Sequence, residues 1–277
     1  MVADFHLHTC VSDGELEPAA LVARAAAHGV RRLSITDHDS LGAYRWGGGA
    51  VFAEAARLGV ELTVGIEMDV LLDGREVHLL AYGLDAAEPR LATHLEAVAA
   101  ARRERTRREI DVVNALLGAD AIRGDEVFVP GRESFMRPHL IRPLVERGYF
   151  ASYGEGRAWF AERVGTGVVV PKPTLGEAIA MVRAAGGWTS LAHPGYYWKD
   201  GDPILERLDA LREMGLDAVE LDYPYRSCSP DLFSDADEAG FRAALRAQGE
   251  RLGLRFTRGS DSHRLSDLER VYGPAPA

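Results

Sequence analysis

Val2-Ala3-Asp4-Phe5-His6-Leu7-His8 is a short alternating stretch that predicts a β-strand. Residues two apart in a strand point to the same side, so His6 and His8 are expected to face one way. Asp13 follows within a polar turn that ends in Gly14. Two imidazoles and a carboxylate at the end of one strand predict a metal site.

Five further stretches repeat this arrangement, in which a short apolar run leads into His, Asp or Glu. They are Thr36-Asp37-His38-Asp39, Gly65-Ile66-Glu67, Glu76-Val77-His78, Leu191-Ala192-His193-Pro194-Gly195 and Gly259-Ser260-Asp261-Ser262-His263. One buried histidine alone is usually a hydrogen-bonded core residue, and an isolated Gly-Ser-Asp-Ser-His could be a capped turn. Because all six stretches share one pattern, we interpret their donors as a single metal site. In β/α barrels the loops after the strands converge on one face, which would bring such residues together.

The composition is that of an ordinary globular protein in a reducing compartment. Hydrophobic residues make up 47% of the 277 residues and charged residues 27%, which suits one large domain or a domain with an insertion. The two cysteines, Cys10 and Cys228, do not suggest a disulfide framework. The sequence has neither a signal-peptide pattern nor the run of ~20 apolar residues that spans a membrane. We therefore expect a cytoplasmic protein without membrane contact.

The net charge of −10 disfavours binding to long nucleic acid through a basic surface. It does not exclude a small anionic substrate, because divalent cations held in a cleft reverse the local field. A small phosphorylated substrate is therefore compatible with the charge, whereas long DNA is not expected. The sequence makes no prediction about the oligomeric state.

The order of predicted elements indicates an α/β fold with a mostly parallel sheet. Strands are predicted at 2–8, 31–36, 60–66, 76–82, 188–192, 218–221 and 254–257. From Pro89 to Pro173 the alternation stops, and helices are predicted at 91–117, 134–147 and 156–164. We expect residues 1–88 and 174–277 to form the α/β body, and residues 89–173 to form an inserted helical subdomain that walls the active site.

Taken together, these motifs resemble the PHP (polymerase and histidinol phosphatase) superfamily over essentially the whole chain. The resemblance implies a distorted seven-stranded β/α (TIM-like) barrel with a trinuclear metal centre. The ligands that it implies for the three ions are, in turn, His6, His8, Glu67 and Asp261; Glu67, His78 and His193; and Asp13, His38 and His263. Glu67 would bridge the first two ions. Position 13 is His in some members and Asp in others, so the third ion is expected to be bound more weakly here or to be occupied differently.

The implied ligands are imidazoles and carboxylates without thiolates, a set that suits Mn²⁺, Zn²⁺ or Fe²⁺. We expect two or three divalent ions, with Mn²⁺ preferred and Zn²⁺ or Fe²⁺ as alternatives. Ions a few ångströms apart lower the pKa of a bridging water and form a clamp for phosphoryl transfer, so a bridging hydroxide is the expected nucleophile. The ligands expected to act directly in catalysis are Asp13, His38, Glu67 and Asp261.

The predicted insertion carries a further motif, Arg137-Pro138-His139-Leu140-Ile141-Arg142. With Gly148-Tyr149 and Ala184-Ala185-Gly186-Gly187, it resembles one branch of the superfamily. That branch holds nucleoside 3′,5′-bisphosphate phosphatases and a related 5′-to-3′ exoribonuclease.

This second resemblance implies that Arg137 and His139 bind phosphate of the substrate. Independently of it, Pro138 places both residues at a helix start, where backbone N–H groups attract anions, and arginine can hold phosphate with two hydrogen bonds. Arg137 could instead form a salt bridge between the insertion and the body. Ser134 is a third candidate for substrate binding, but N-capping of the helix would explain it equally well.

We therefore expect a phosphatase that acts on nucleoside 3′,5′-bisphosphates such as pAp, with the 5′ end of short RNA as a second substrate class. One alternative is a histidinol-phosphate phosphatase, with the same chemistry on a small cationic substrate; the large insertion with Arg-Pro-His argues against it. Another is a metal-stabilised binding protein without catalysis, against which the complete ligand set argues. A nuclease for long DNA is disfavoured by the acidic charge.

Two other clusters allow more than one interpretation. The basic run from Arg102 to Arg108 could face nucleic acid, but the interspersed Glu104 and Glu109 favour a solvated, ion-paired helix face. The aromatic stretch Tyr196-Tyr197-Trp198 could stack on a base or pack within its loop. Met68-Asp69 departs from the small or apolar residues expected at that point of the strand.

Overall fold

The computed structural model describes residues 2–274, in which strands and helices alternate on either side of a helical stretch. The strands are β1 (Val2–Asp4), β2 (Val30–Ile35), β3 (Glu61–Leu72), β4 (Arg75–Tyr82), β5 (Trp188–Leu191), β6 (Ala218–Asp222) and β7 (Arg255–Arg258). The α-helices are α1 (Pro18–Ala27), α2 (Ala50–Leu58), α3 (Pro89–Leu117), α4 (Gly124–Val127), α5 (Pro138–Glu146), α6 (Tyr153–Arg163), α7 (Leu175–Ala184), α8 (Pro194–Lys199), α9 (Ile204–Met214), α10 (Tyr225–Cys228), α11 (Asp235–Leu252) and α12 (Leu265–Tyr272). Short 3₁₀ helices lie at Gly42–Tyr44 and Trp46–Gly48.

All seven strands form one sheet in the order of the chain. The pairs are parallel except that β4 runs antiparallel to both β3 and β5. The exception arises at Asp73-Gly74, where both residues have a positive φ, as a tight hairpin turn requires. The predicted α/β class with seven strands is confirmed, and the sheet is mostly parallel.

Strand β3 is longer than predicted and has two partners. Its first third, Glu61 to Val64, pairs with β2, whereas the remainder, from Gly65 onward, pairs with β4. Glu67 consequently lies inside β3, so the expectation that it follows a strand end is wrong, whereas His78 lies inside β4, within the strand predicted at 76–82. Strand β3 continues beyond its parallel pairing with β2 into the antiparallel hairpin with β4. Glu67 and His78 lie in this hairpin.

The first and last strands are linked by main-chain contacts beyond their regular parts. Phe5 N–H donates to the carbonyl oxygen of Arg258 at 2.9 Å, and Asp261 N–H donates to that of His6 at 2.9 Å. Leu7 and Ser262 form an isolated parallel bridge. These contacts bring the first and last sequence motifs side by side.

Helix termini follow the local sequence. Helix α7 begins with a reciprocal pair in which Glu177 N–H donates to Thr174 Oγ1 at 3.3 Å and Thr174 N–H donates to Glu177 at 2.8 Å. Helix α5 begins at Pro138, so the prediction that this helix starts at Ser134 is wrong by four residues. None of the described helices is long and apolar enough to cross a lipid bilayer.

Apolar side chains gather in two main clusters. The larger lies between the sheet and the helices packed on it, and includes fully buried Leu33, Ile35 and Val219. The second is built from residues between Ile110 and Val164, where the second half of α3 packs with α5 and α6. Part of the helical stretch thus has an apolar core of its own.

Helix α3 has one solvated side and one buried cation. Arg107 and Arg108 are exposed and pair with Glu104, as the sequence predicted. Arg102 is only 2% exposed and contacts Asp39 and Asp69 of the α/β part. The prediction of a solvated face is therefore wrong for Arg102, because helical periodicity turns this residue towards the sheet. It is also wrong for Glu109, which is buried.

Candidate metal centre

The nine side chains predicted as ligands lie at one end of the sheet. They come from β3, β4 and the segments that follow β1, β2, β5 and β7: His6, His8, Asp13, His38, Glu67, His78, His193, Asp261 and His263. Most of them are buried. The fold thus brings together donors from almost the whole length of the chain.

The Glu67 carboxylate is at the centre of this donor cluster. Its Oε2 lies 3.2 Å from Nε2 of both His6 and His8, and 3.4 Å from Nε2 of His38. Its Oε1 lies 2.9 Å from His78 Nδ1 and 3.2 Å from His193 Nε2. The two oxygens therefore face two different sets of imidazoles, which is the geometry of a bridging ligand.

Two further carboxylates lie on either side of His8. Asp261 Oδ1 is 3.0 Å from His8 Nε2 and 3.3 Å from His6 Nε2. Asp13 Oδ1 is 3.2 Å from His263 Nε2 and 3.8 Å from His8 Nδ1. Donor atoms of Asp13, His8 and His263, together with one from His38, all lie within 4.8 Å of one another.

Several of these atoms are buried without a hydrogen-bond partner. They include His6 Nε2, His8 Nε2 and Glu67 Oε2. The atoms are close together but not aligned as hydrogen bonds, so their lone pairs converge instead of pairing. An unpaired buried polar group costs about 1–3 kcal/mol. Only nitrogen and oxygen donors are involved, and a divalent cation would satisfy these three atoms at once. The residues therefore fit the implied metal ions.

Without a cation, the cluster is a network of imidazolium and carboxylate groups. Burial lowers the pKa of His8, but the nearby carboxylates of Asp261 and Glu67 outweigh it and raise the pKa to about 9. Burial also lowers the pKa of His38, and the nearby charges of Glu67 and Asp69 outweigh it to give about 9. Burial opposes ionisation of Glu67, yet the surrounding imidazoles hold its pKa well below the usual range. Protons and metal ions thus compete for the same nitrogens.

Glu220 in β6 orients two of the donors and was not predicted. Its Oε1 lies 3.0 Å from His6 Nδ1, and its Oε2 accepts a hydrogen bond from His193 N–H at 2.8 Å. With its proton on Nδ1, His6 presents a free lone pair at Nε2. The signal in the sequence is a lone carboxylate within the apolar strand Ala218-Val219-Glu220-Leu221.

Asp37 and Asp69 also support the cluster and were not assigned a role. Asp37 accepts hydrogen bonds from Thr9 Oγ1 and Ser12 Oγ, each at 2.6 Å, and so fixes the turn that leads to Asp13. Asp69 Oδ1 lies 3.4 Å from His38 Nδ1. The unusual carboxylate in the middle of a buried strand was the available signal for Asp69.

Helix α5 holds the backbone of the Asp13 turn. His139 Nε2 lies 2.8 Å from the carbonyl oxygen of Ser12, and its Nδ1 accepts a hydrogen bond from Met136 N–H at 3.0 Å. Burial, together with the positive charge of Arg132, lowers the pKa of His139 to about 4. A neutral imidazole with both nitrogens engaged is a positioning group, so in this conformation the predicted contact of His139 with substrate is not available.

The other two predicted substrate contacts differ in accessibility. The Arg137 side chain is 40% exposed, and its Nε donates to buried Glu109 at 3.1 Å. That partner belongs to α3, so Arg137 does not join the insertion to the body, the alternative raised above. Ser134 is buried, lies outside α5 and is not its N-cap, which is Arg137. The structure therefore leaves Arg137 as the accessible member of the three.

The aromatic stretch after His193 forms α8 and packs inward. Tyr197 is 8% exposed, and its hydroxyl accepts a hydrogen bond from His78 N–H at 2.8 Å. Tyr196 Oη lies 2.9 Å from Ser229 Oγ, and Trp198 packs against Phe241. Packing, rather than base stacking, accounts for these aromatic residues.

Comparison with known proteins identifies the family. The model of the PHP domain matches residues 4–119. The 3′,5′-nucleoside bisphosphate phosphatase of Chromobacterium violaceum is 33% identical over 209 residues, which cover 74% of this chain and 70% of that protein. The chain belongs to the PHP domain family. A 5′-3′ exoribonuclease of Haemophilus influenzae is 30% identical over 230 residues, which cover 79% of this chain and 78% of that enzyme.

A solved structure from Bifidobacterium adolescentis, provisionally described as a metal-dependent phosphoesterase, gives a TM-score of 0.75. It is 27% identical in sequence, and the match covers 94% of this chain and 87% of that one. This PHP family protein is accordingly a metal-dependent hydrolase of phosphoric esters, as predicted. The donor cluster around Glu67 lies at one end of the sheet, where residues from most strands come together.

Proposed function

We propose that this PHP protein hydrolyses the 3′-phosphate of nucleoside 3′,5′-bisphosphates such as pAp and the first phosphodiester at the 5′ end of short RNA. The observation that carries this proposal is the Glu67 carboxylate, whose two oxygens face separate sets of imidazoles. The names of the two curated relatives support the substrate class. Both substrates contain the same bond, between phosphorus and the 3′ oxygen of a 5′-phosphorylated nucleoside, so one site would serve both.

The donors are assigned to three cations in the arrangement that the family resemblance implies. The sets are His6, His8, Glu67 and Asp261; Glu67, His78 and His193; and Asp13, His38 and His263. Divalent ions bound there, Mn²⁺ or alternatively Zn²⁺ or Fe²⁺, would supply a water activated near neutral pH and positive charge for the phosphate oxygens. Glu67 would link the first two sets, and Glu220 would keep the His6 lone pair directed into the cluster.

Arg137 is assigned to the phosphate that is not cleaved. Its half-exposed guanidinium uses Nε for Glu109, which leaves its terminal nitrogens for a ligand. A guanidinium fork can hold a phosphate with two hydrogen bonds and so fix the nucleoside relative to the donor cluster. His139 contributes indirectly, because it holds the carbonyl oxygen of Ser12 beside Asp13.

We also propose that the sheet is the distorted β/α barrel of the family and that residues 89–173 are an inserted subdomain, with residues 1–88 and 174–277 as the body. The main-chain contacts between residues 5–7 and 258–262 support a closed sheet. The separate apolar cluster between Ile110 and Val164 supports the subdomain. Limited proteolysis that removes this segment as one fragment would support these boundaries.

The proposed activity is tested by product analysis with the Mn²⁺-loaded protein. Incubation with pAp should yield AMP and inorganic phosphate, and a 5′-phosphorylated tetraribonucleotide should lose mononucleotides from its 5′ end. Histidinol phosphate serves as the competing substrate. Turnover of histidinol phosphate without turnover of pAp would overturn the proposal in favour of the related phosphatase.

A further inference from the structure

An open groove of about 390 Å³ lies beside the Asp13 end of the donor cluster, and Asp13, Arg132, Arg142 and Arg264 contribute to its walls. A neighbouring depression of about 410 Å³ is lined by Arg142, Arg264 and Tyr153. The two share Arg142 and Arg264 and therefore form one continuous feature. We call it the basic groove.

Two guanidinium groups of the basic groove, those of Arg132 and Arg142, bind main-chain oxygens instead of carboxylates. Arg132 Nη1 donates to the carbonyl oxygen of Val127 at 2.8 Å, and Arg142 Nη1 donates to that of Asp13 at 3.0 Å. Within residues 2–274, neither forms an ion pair with a carboxylate, although both are partly buried. Placing unpaired charges out of water is unfavourable, so an anion is the partner that this part of the groove lacks.

The acidic residues of the groove do not provide that partner. Asp13 is buried and faces His263, with its Oδ1 3.2 Å from His263 Nε2. Glu126 is already bound by Arg147. Glu15 and Glu146 are exposed at the rim, where water and salt screen their charge.

The basic groove lies beside the donor cluster, where it could take the part of a strand beyond the reacting phosphate. Arg142 binds the main chain of Asp13, and Arg264 directly follows His263 in the sequence, so the groove begins next to two members of the donor cluster. Glu67, at the centre of the cluster, does not line it. Tyr153 is 40% exposed beside Arg142 and offers an aromatic face to a nucleobase. A strand whose reacting phosphate lies at Glu67 would continue along this wall.

We propose that the basic groove is a subsite for single-stranded RNA, in which the arginines bind the phosphodiester on the 3′ side of the scissile one and Tyr153 stacks on the adjoining base. This inference rests on the proposed function and deepens it, because a nucleoside bisphosphate has no such second phosphodiester. The groove therefore selects short RNA over mononucleotides. Phosphate contacts of this kind position the strand without reading its sequence.

Binding without turnover tests the subsite. Fluorescence anisotropy would follow a 5′-phosphorylated, 3′-labelled tetraribonucleotide added to protein kept in EDTA. Arg264→Ala is the main variant, because this exposed side chain does not hold the Asp13 backbone. Arg163→Ala is the matched control, an exposed arginine on α6 that pairs with its neighbour Glu162. We expect Arg264→Ala to weaken binding about tenfold and to reduce the salt slope by about one, whereas Arg264→Lys keeps most of the affinity and Arg163→Ala all of it.

Turnover separates this inference from the proposed function. In the Mn²⁺-loaded protein, Arg264→Ala should lower kcat/KM for the tetraribonucleotide at least about fivefold more than kcat/KM for pAp. Equal losses for the two substrates, unchanged oligonucleotide affinity in the variant, or no binding by the unaltered protein would each overturn the subsite. If binding depends on Arg264 while neither substrate is hydrolysed, the subsite stands and the proposed function fails.

Discussion

Arg102 of α3 donates a hydrogen bond from Nη2 to Asp69 Oδ2 at 2.8 Å, and both groups are buried. The same nitrogen contacts Asp39 Oδ2. The other oxygen of Asp69 lies 3.4 Å from His38 Nδ1 and 3.7 Å from His78 Nε2. One guanidinium from the helical stretch therefore contacts two carboxylates behind the donor cluster, and one of these carboxylates, Asp69, contacts two of its imidazoles.

Replacement of Arg102 by Ala should lower the free energy of unfolding by about 3–5 kcal/mol, because Asp39 and Asp69 would remain buried and lose the guanidinium that they share. Urea denaturation of the metal-free protein measures the loss. Arg107→Ala is the control on the same helix. Its side chain is 58% exposed and pairs with exposed Glu104, so its effect should stay within about 0.5 kcal/mol. Similar values for both variants would contradict a supporting role for Arg102.

Replacement of Glu67 by Gln should remove most bound metal and abolish turnover, because one amide oxygen cannot serve both sets of imidazoles. Metal content by mass spectrometry and phosphatase assays test this. Glu61→Gln provides the control, since this residue lies on the same strand but is 61% exposed and paired with Arg32. A fully active Glu67→Gln protein would rule out the bridging assignment.

Gly259→Ala should loosen the metal site without touching a donor. An added Cβ would lie 2.2 Å from His6 Cβ and 2.4 Å from Glu220 Oε1, so the contact that orients His6 would be pushed apart. Loss of such an outer contact typically lowers metal affinity by about 10–100-fold. Gly240→Ala in α11, where an added Cβ meets no atom within 4 Å, should bind metal normally. Competition titrations against a chelator distinguish the two, and equal affinities would contradict the role given to Glu220.

Stability of the metal-free protein should fall between about pH 6.5 and pH 9. The pKa of His8 and that of His38 are raised from the usual 6.5 to about 9 in the folded protein. Their contribution to stability is therefore complete below pH 6.5 and is lost as the pH rises through 9. Urea midpoints in EDTA at a series of pH values measure this trend.

Metal uptake at pH 7.5 should also release protons, which calorimetry in buffers of different ionisation enthalpy detects. Binding without proton release would contradict the competition.

Arg137→Ala should raise KM for pAp far more than KM for p-nitrophenyl phosphate, because only pAp carries a second phosphate. Steady-state kinetics on both substrates provide the measurement, and Arg137→Lys should restore part of the affinity for pAp. Equal effects on the two substrates would show that Arg137 matters only through its bond to Glu109.

The sequence predicted the elements whose signals are local. Alternation, turn residues and helix ends located the seven strands, and the six histidine and acid motifs located nine donors that the fold brings together. Glu67 was misplaced relative to its strand because β3 continues to Leu72, into the hairpin at Asp73-Gly74. The donors were still found, since side-chain alternation does not depend on where a strand ends.

The supporting residues could not be predicted because their roles depend on tertiary contacts with residues distant in the sequence. Glu220 is a single carboxylate in a short apolar strand, and only the folded chain places it against His6, 214 positions away in the sequence. Arg102 belongs to a run of arginines in which Arg107 and Arg108 form local ion pairs with Glu104. Its position on the helix turns it instead towards Asp39 and Asp69. His139 belongs to a motif that predicted phosphate binding, whereas in the structure both of its ring nitrogens contact backbone groups.

Helix α5 binds two carbonyl oxygens of the Asp13 turn, those of Ser12 and Asp13, and Arg137 is its N-cap. If Arg137 binds a nucleotide and Asp13 a cation, as proposed, this helix connects the two sites directly. Thermodynamic reciprocity then requires that any factor by which the cation changes nucleotide affinity is the factor by which the nucleotide changes cation affinity.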